Sequence, residues 1–277
     1  GDDRSNPVRH SNIARGILIA MNPPSPSSIL ITGASSGIGA ALAEIYARTG
    51  VTLFLGGRNE SRLAQVAEHC RKRGATVHIR VLDVTDAAAM QHWVRSSDKE
   101  RPLDLLIANA GISSGIDPGP VPDSNAVAGD IFATNVTGVH NTVGPVVPLM
   151  QTRKRGQIAI MSSLAGLREM PSAPAYSASK VAVRVYGEAL RPQLAGDGID
   201  VCVIMPGFVD SGITAHNHFP MPMIMPAKRA AEIIRRGLAR NQRRIAFPFP
   251  MYAMMWVLAA LPPVIADALL ARLPRKQ

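Results

Sequence analysis

Short apolar runs alternate with longer stretches of helical periodicity along most of the chain, and this pattern restricts the fold more than any other feature. The runs at residues 29–32, 51–55 and 76–82 are each followed by a helix-like stretch. Further apolar runs lie at residues 103–108, 157–162 and 199–205, and the helix-like stretches at 39–49, 60–73, 86–95, 128–151 and 176–194. Alternation of this kind predicts βαβ units and a parallel sheet.

The central runs are apolar at every position instead of at every second one. This holds for ILIT at 29–32, LLIA at 105–108, IAIM at 158–161 and VCVIM at 201–205. Such runs are typical of strands that helices cover on both faces. We therefore expect an α/β fold with a Rossmann-type doubly wound parallel sheet of six to seven strands, in which residues 244–247 form an edge strand.

The length of 277 residues suits one domain of this kind. We assign residues 28–248 to that domain and residues 249–277 to an apolar, C-terminal helical extension of it. Residues 1–27 are polar, then briefly apolar, then rich in proline and serine, which predicts a disordered tail. Whether Met21 is the natural start is left open.

The net charge of +10 does not by itself identify a partner. The basic residues are scattered in pairs and triplets near apparent helix ends, and aromatic residues make up only 4% of the chain. No aromatic platform is interleaved with the basic groups, so nucleic-acid binding is disfavoured. Cys70 and Cys202 have no spacing typical of a disulfide framework or a zinc site, which favours a reducing, cytoplasmic location.

A glycine-rich segment follows the first predicted strand and opens the first predicted helix. It runs from Thr32 to Gly39 and contains Gly33, Ser35, Ser36, Gly37 and Ile38. Gly33 allows a tight turn, Gly37 lets the backbone approach a phosphate, and Gly39 allows close packing of helix on strand. In this setting we expect a dinucleotide-binding turn; an ordinary glycine-rich loop is the less favoured alternative.

The second predicted strand ends without the acidic residue that usually holds the ribose of NAD. Gly57 occupies that position and Arg58 follows it. A guanidinium can pair with a 2′-phosphate, so we favour NADP(H), with NAD(H) as the alternative. Arg58 as a solvated residue at a helix start is the competing interpretation.

Tyr176 and Lys180 lie four residues apart at the start of a predicted helix, and therefore on one of its faces. An ammonium near a phenol favours the phenolate and lowers the pKa of the tyrosine, which enables it to transfer a proton. Ser163 and Asn135 lie upstream at the end of one predicted strand and within a predicted helix. Ser162 is the competing serine, and the spacing to Tyr176 favours Ser163.

These motifs together resemble the classical short-chain dehydrogenases/reductases. The resemblance rests on TGASSGIG at 32–39, ANAG at 108–111, the ordered Asn-Ser-Tyr-Lys set and PGFVDS at 206–211, and it covers about residues 28–211. It implies Tyr176 as the acid/base, Ser163 as a hydrogen-bond partner of the substrate oxygen, and Lys180 also as a ligand of the nicotinamide ribose. Asn135 would organise a proton-relay water.

The same resemblance implies the remaining cofactor contacts. Asp83 and Val84 would border the adenine. Two further sets of residues would contact the cofactor. One follows the fourth strand and comprises Asn109, Ala110 and Gly111; the other follows the sixth strand and comprises Pro206, Gly207, Val209 and Ser211. Two positions depart from the family pattern: Ala108 replaces an asparagine, and Ser211 replaces a threonine but keeps the hydroxyl.

The segment from residue 212 to 226 contains Met221, Met223, Met225 and three prolines, and methionines suit an adaptable apolar lid. We expect a lipophilic substrate from it. His216 and His218 suggest a metal only weakly, because no third ligand is evident. The apolar tail beyond residue 249 is too short in each half to span a bilayer; packing over the pocket, a subunit contact and a peripheral membrane contact are left open.

The sequence thus predicts an oxidoreductase that interconverts a carbonyl and a secondary alcohol with NADP(H), acting on a small lipophilic molecule. The family resemblance implies a homodimer or homotetramer. The alternative is a catalytically idle dinucleotide-binding sensor or a membrane-associated interaction protein, which would have no chemical need for Tyr176 and Lys180 together.

Overall fold

The computed structural model describes residues 25–113, 125–168, 173–212, 214 and 221–270. Most of the predicted N-terminal tail, His216, His218 and the last seven residues therefore lie outside the described residues.

Nine strands and ten α-helices make up the described part of the chain. The strands are β1 (Ser28–Thr32), β2 (Thr52–Gly57), β3 (Thr76–Val81), β4 (Leu105–Ala108), β5 (Gly156–Met161), β6 (Ile199–Pro206), β7 (Val209–Asp210), β8 (Met225–Pro226) and β9 (Arg244–Phe247). The helices are α1 (Gly37–Tyr46), α2 (Glu60–Lys72), α3 (Ala87–Glu100), α4 (Asn125–Phe132), α5 (Gly138–Val143), α6 (Val147–Arg153), α7 (Pro174–Ala195), α8 (Ala227–Ala239), α9 (Phe249–Ala260) and α10 (Pro263–Leu270).

The main sheet has seven strands in the order β3-β2-β1-β4-β5-β6-β9, and every neighbouring pair is parallel. The predicted edge strand is β9, paired with β6 in the register Ile204 to Ile245. The predicted fold class, a Rossmann-type α/β sheet in one domain, is confirmed. β7 and β8 form a separate two-stranded parallel ladder.

Two apolar layers cover the sheet because successive strand residues point to opposite faces. In β1, Ile29 and Ile31 pack in the layer that contains α1, α2 and α8, whereas Leu30 packs in the opposite layer with α3 and α7 residues. All three side chains are fully buried. Burial on both faces is the reason that the central strands show no polar alternation.

The helix-like stretch predicted at residues 128–151 consists of four helical segments in the structure. α4 leads into a π-helical turn, Ala133–Thr137, which α5 and then α6 follow. Pro145 lies between α5 and α6, where its missing N–H cannot continue the helical hydrogen bonding.

Candidate active site

A cavity of about 1040 Å³ lies along the carboxyl ends of the central strands. Its lining includes the residues that follow β1, β4, β5 and β6, where ligands of open parallel sheets bind. Of the residues predicted for the site, all but Gly39 and Asn135 line this cavity.

The glycine-rich turn forms one end of the cavity. Gly33 has a φ of +66°, a left-handed conformation that glycine adopts without strain. A Cβ at Gly39 would lie 2.2 Å from the carbonyl oxygen of Gly33, so only glycine fits there. Ser36 precedes α1 but makes no side-chain cap hydrogen bond, and the first turn of α1 holds no acidic residue. This helix start therefore fits an anionic pyrophosphate.

Asn109 ties the end of β4 to the glycine turn. Its Nδ2 donates hydrogen bonds to the carbonyl oxygens of Thr32 (3.0 Å) and Gly33 (3.2 Å), and its backbone N–H donates to the Thr32 hydroxyl (3.0 Å). Ala108, which replaces the family's first asparagine, is buried in the sheet. Asn109 therefore fixes the shape of the turn, with Ala110 and Gly111 on the cavity wall.

A basic pair lies at the end of β2. Arg58 is 64% exposed and forms a 3.5 Å ion pair with Asp83. Burial opposes ionisation of Asp83, but hydrogen bonds from Thr85 and the Arg58 guanidinium outweigh it and lower the pKa of this carboxyl. Arg62, which was not predicted from the sequence, lines the same end of the cavity. Arg62 lies in the first turn of α2, four residues after Arg58, and this closeness in sequence was the available signal.

Ser163, Tyr176 and Lys180 meet at the centre of the cavity. The side chains of Ser163 and Tyr176 are hydrogen-bonded to each other. The Nζ of Lys180 lies 5.6 Å from the centroid of the Tyr176 ring and donates to the carbonyl oxygen of Met161 at 3.2 Å. The competing serine, Ser162, instead donates to the carbonyl oxygen of Lys180 at 2.8 Å.

The pKa values of this pair are set by burial. Burial raises the pKa of Tyr176, and the hydrogen bond with Ser163 only partly opposes that rise. Burial also lowers the pKa of Lys180 to about 8. Burial is the largest cause acting on the pKa of Tyr176, so the structure does not show the lowering expected from a neighbouring ammonium.

Asn135 lies behind the cavity wall, fully buried within the π-helical turn. Its Nδ2 donates to the carbonyl oxygen of Ile112 (2.9 Å) and to the hydroxyl of Ser179 (3.0 Å), and its Oδ1 accepts from the N–H of Ile112 (2.8 Å). Asn135 thus joins the loop after β4 to the helix that carries Tyr176 and Lys180.

The loop after β6 completes the lining with Pro206, Gly207, Val209 and Ser211. A Cβ at Gly37 would lie 3.0 Å from the Cβ of Ser211, which places Ser211 against the glycine turn. Thr214 was not predicted from the sequence; its hydroxyl accepts from the N–H of Ser211 (2.9 Å) and donates to the carbonyl oxygen of Val209 (2.7 Å). Such contacts depend on tertiary packing and leave no sequence signature.

One face of α9 forms the remaining wall. Met251 and Met255 pack against Leu164 and Met205 and line the cavity. Within the described ranges, no helix is both long and apolar enough to cross a membrane. In the same ranges, no group of three His, Cys, Asp or Glu side chains could hold a metal ion.

The profile of the short chain dehydrogenase family matches residues 27–219 of this sequence. The chain belongs to the short-chain dehydrogenase/reductase family. A relative from Myxococcus xanthus, named an uncharacterized oxidoreductase, is 40% identical over 245 residues, which cover 88% of this chain and 96% of the relative.

Two solved structures of short-chain dehydrogenases are similar to this one. One from Sphingobium yanoikuyae, in complex with NADPH, has a TM-score of 0.75 and 26% identity and covers 90% of this chain and 97% of its own. One from Burkholderia phymatum, in complex with NAD, has a TM-score of 0.76 and 26% identity, with coverage of 91% and 97%. This short-chain dehydrogenase/reductase is therefore an oxidoreductase of CH–OH and C=O groups that binds a nicotinamide dinucleotide.

Proposed function

We propose that this enzyme interconverts a lipophilic ketone and its secondary alcohol with NADP(H), and that Tyr176 transfers the proton. The observation that carries the proposal is the meeting of Ser163, Tyr176 and Lys180 in one cavity with the glycine turn. A catalytically idle sensor is less favoured, because binding a dinucleotide does not require the hydrogen bond between Ser163 and Tyr176.

Tyr176 is protonated at neutral pH, since burial raises its pKa. In the reduction direction its hydroxyl proton goes to the carbonyl oxygen, while the Ser163 hydroxyl donates a hydrogen bond to the same oxygen. NADPH, when bound, would supply the hydride to the carbonyl carbon, and NADP⁺ would take up a hydride in the reverse reaction. The Lys180 ammonium stabilises the phenolate that remains after proton transfer.

Asn135 is proposed as a positioning residue. Its two contacts with the Ile112 backbone and one with Ser179 hold the loop after β4 against α7. Ser179 in turn donates to the carbonyl oxygen of Tyr176 at 2.7 Å. Loss of the Asn135 amide would therefore shift the first turn of α7, which carries the tyrosine.

The preference for NADP(H) rests on Arg58 and Arg62. Both line the cavity beside Gly57, and Asp83 is the carboxylate that accompanies them there. A 2′-phosphate would compete with Asp83 for Arg58 and bring a charge that both guanidiniums can pair with. NADH lacks that phosphate and therefore forms no such ion pair with Arg58 or Arg62.

The experiment is steady-state oxidation of NADPH and of NADH by the full chain with a panel of ketones of increasing size. We expect activity with NADPH at a KM at least tenfold below that for NADH. Arg58→Ala and Arg62→Ala should each raise the KM for NADPH and leave that for NADH unchanged, whereas Arg236→Ala, on the solvent-exposed face of α8, should change neither. Failure of every ketone to oxidise either dinucleotide would refute the proposed reaction.

The assembly and the location of the enzyme stay predictions. The outer faces of α9 and α10 expose Phe249, Trp256 and Val264, at 74%, 57% and 82%. Exposed apolar side chains of this kind fit a subunit contact in a homodimer or homotetramer, and equally a peripheral lipid contact of a cytoplasmic enzyme. Light scattering of the full chain and its pelleting with anionic liposomes distinguish the two.

A further inference from the structure

Four apolar side chains of α9 form a stripe along the cavity, which we call the α9 stripe: Met251, Met254, Met255 and Leu258. Their spacing of three, four and seven residues places them on one face of the helix. Met251 and Met255 are buried, at 6% and 5% exposure, whereas Met254 is half exposed. The stripe therefore runs from the interior of the cavity towards its surface.

The stripe begins beside the reacting groups. A Cβ at Gly207 would lie 2.8 Å from the Sδ of Met251, so the methionine lies directly against this glycine. Gly207 follows Pro206, whose carbonyl oxygen lies 3.4 Å from the Ser163 Oγ. From Met251 to Leu258 the helix rises about 10 Å. An apolar surface of that length leads away from the catalytic serine.

Charged side chains are confined to the other parts of the cavity. Among the described lining residues they are Arg58, Arg62, Asp83 and Lys180. The first three cluster at the ends of β2 and β3, and Lys180 lies beside Tyr176. The described lining around the α9 stripe thus offers no cationic partner for a carboxylate or a phosphate, and burying such an anion there would be costly.

We infer that the α9 stripe binds the alkyl chain of the substrate, and that the substrate is an uncharged ketone or secondary alcohol whose chain extends about 10 Å from the reacting carbon. This inference rests on the proposed function. Methionine side chains are flexible and polarisable, and they adapt to an alkyl chain that has no fixed shape. The substrate's oxygen then lies at Ser163 and Tyr176 while its chain leaves along α9.

The first test is a series of methyl ketones from 2-butanone to 2-dodecanone, with NADPH as the reductant. Each buried methylene should raise kcat/KM about fourfold until the stripe is filled. A methyl ketone of matched length that ends in a carboxylate should react at least a hundredfold more slowly than the uncharged one. If the short ketones react but kcat/KM does not rise with chain length, the inference is refuted and the proposed function stands. If no ketone reacts, the proposed function itself is refuted.

The second test shortens the stripe. Leu258→Trp should lower the ratio of kcat/KM for 2-decanone to kcat/KM for 2-butanone at least tenfold. Val257→Trp is the matched control, because Val257 neighbours Leu258, is 53% exposed and does not line the cavity. This variant should show the same dependence of kcat/KM on chain length as the wild type. An unchanged dependence on chain length in a folded Leu258→Trp protein would overturn the inference.

Met254→Glu tests the same inference by adding a charge to the stripe instead of bulk. Met254 is 48% exposed, so the substitution does not place the carboxylate in a fully buried site. A carboxylate in the stripe should lower kcat/KM for 2-decanone about tenfold more than kcat/KM for 2-butanone. Melting temperatures of both variants within a few degrees of the wild type show that the protein is folded. Equal loss for short and long ketones would contradict the inference.

Discussion

The Nζ of Lys180 lies 5.6 Å from the centroid of the Tyr176 ring, and the backbone carbonyl of Met161 accepts its hydrogen bond. Lys180 is only 4% exposed. Burial therefore acts on both members of the pair in opposite directions: it raises the pKa of the phenol and lowers the pKa of the ammonium to about 8. Ketone reduction benefits from both groups in their protonated forms.

The rate of ketone reduction should fall above pH 8. As pH rises through the pKa of Lys180, about 8, the ammonium loses its proton and no longer stabilises the phenolate left on Tyr176. A profile of kcat/KM against pH with NADPH checks this. Lys180→Arg, which keeps its charge to higher pH, should retain part of the activity and lose the fall near pH 8; an identical fall in that variant would assign the titration to another group.

Lys180 should also destabilise the fold at neutral pH. Its pKa in the folded enzyme, about 8, is below the reference value of about 10.4, so the unfolded chain binds more protons between these values. The free energy of unfolding therefore rises with pH across this window. Below pH 8 the buried ammonium lowers it by the full amount, about 3 kcal/mol. Lys180→Met should unfold at higher urea than the wild type at pH 7. The difference in the free energy of unfolding between Lys180→Met and the wild type should be about 2 kcal/mol smaller at pH 10. A difference that does not change with pH would show that Lys180 is not destabilised by burial of its charge.

Tyr176→Phe should lower kcat for ketone reduction by about 10²–10⁴-fold, the usual contribution of a proton-transferring side chain. The affinity for NADPH, followed by fluorescence titration, should change little, because the ring is kept. Tyr186→Phe is the control: Tyr186 lies on the same helix, does not line the cavity and packs against His140. Wild-type kcat in Tyr176→Phe would refute the proposed role.

The sequence predicted the sheet well because the strands carry their own signal. Ile29, Leu30 and Ile31 are apolar in succession, and both faces of β1 are in fact covered. The glycine turn was predictable for a similar local reason, since strand, turn and helix follow one another within 19 residues, from Ser28 to Tyr46. Contacts between distant segments were not: nothing near Asn135 in sequence indicates the bonds to Ile112 and Ser179.

The α9 wall shows the same limit. The sequence identified an apolar tail with three alternative contacts, and α9 is apolar on all sides, so periodicity could not select the face that meets the cavity. Only the packing of Met251 and Met255 on Leu164 identifies that face. The rise in the pKa of Tyr176 could not be predicted for a related reason, since burial is a property of the folded chain.

Gly39→Ala should impair both folding and cofactor binding. The added Cβ would lie 2.2 Å from the carbonyl oxygen of Gly33, a backbone atom that cannot move without distorting the turn. We expect a loss of about 1–3 kcal/mol in the free energy of unfolding and a large rise in the Kd for NADPH. Gly129→Ala is the control, because nothing lies within 4 Å of its added Cβ in α4. It should add about 0.5–1 kcal/mol of stability and leave the Kd unchanged.

Glu188 links α9 to the catalytic helix. Its Oε2 accepts from Arg184 at 2.9 Å and its Oε1 from the Nε of Arg244 at 3.0 Å. Arg244 also donates to the Tyr252 hydroxyl of α9 at 3.3 Å, and Arg184 donates to the carbonyl oxygen of Gly166 at 2.8 Å. A single carboxylate therefore joins the turn after β5, helix α7, strand β9 and helix α9.

Glu188→Gln removes the charge that both guanidiniums share, and we expect it to cost about 1–3 kcal/mol in the free energy of unfolding. Because α9 loses part of its support, the KM for a long-chain ketone should rise several-fold while kcat stays near the wild-type value. Glu68→Gln provides the comparison, since the pair of Glu68 with Lys72 is 57% and 69% exposed on α2 and should contribute less than about 0.5 kcal/mol. Urea unfolding measures both losses, and equal losses would mean that the Glu188 network contributes no more than a surface ion pair.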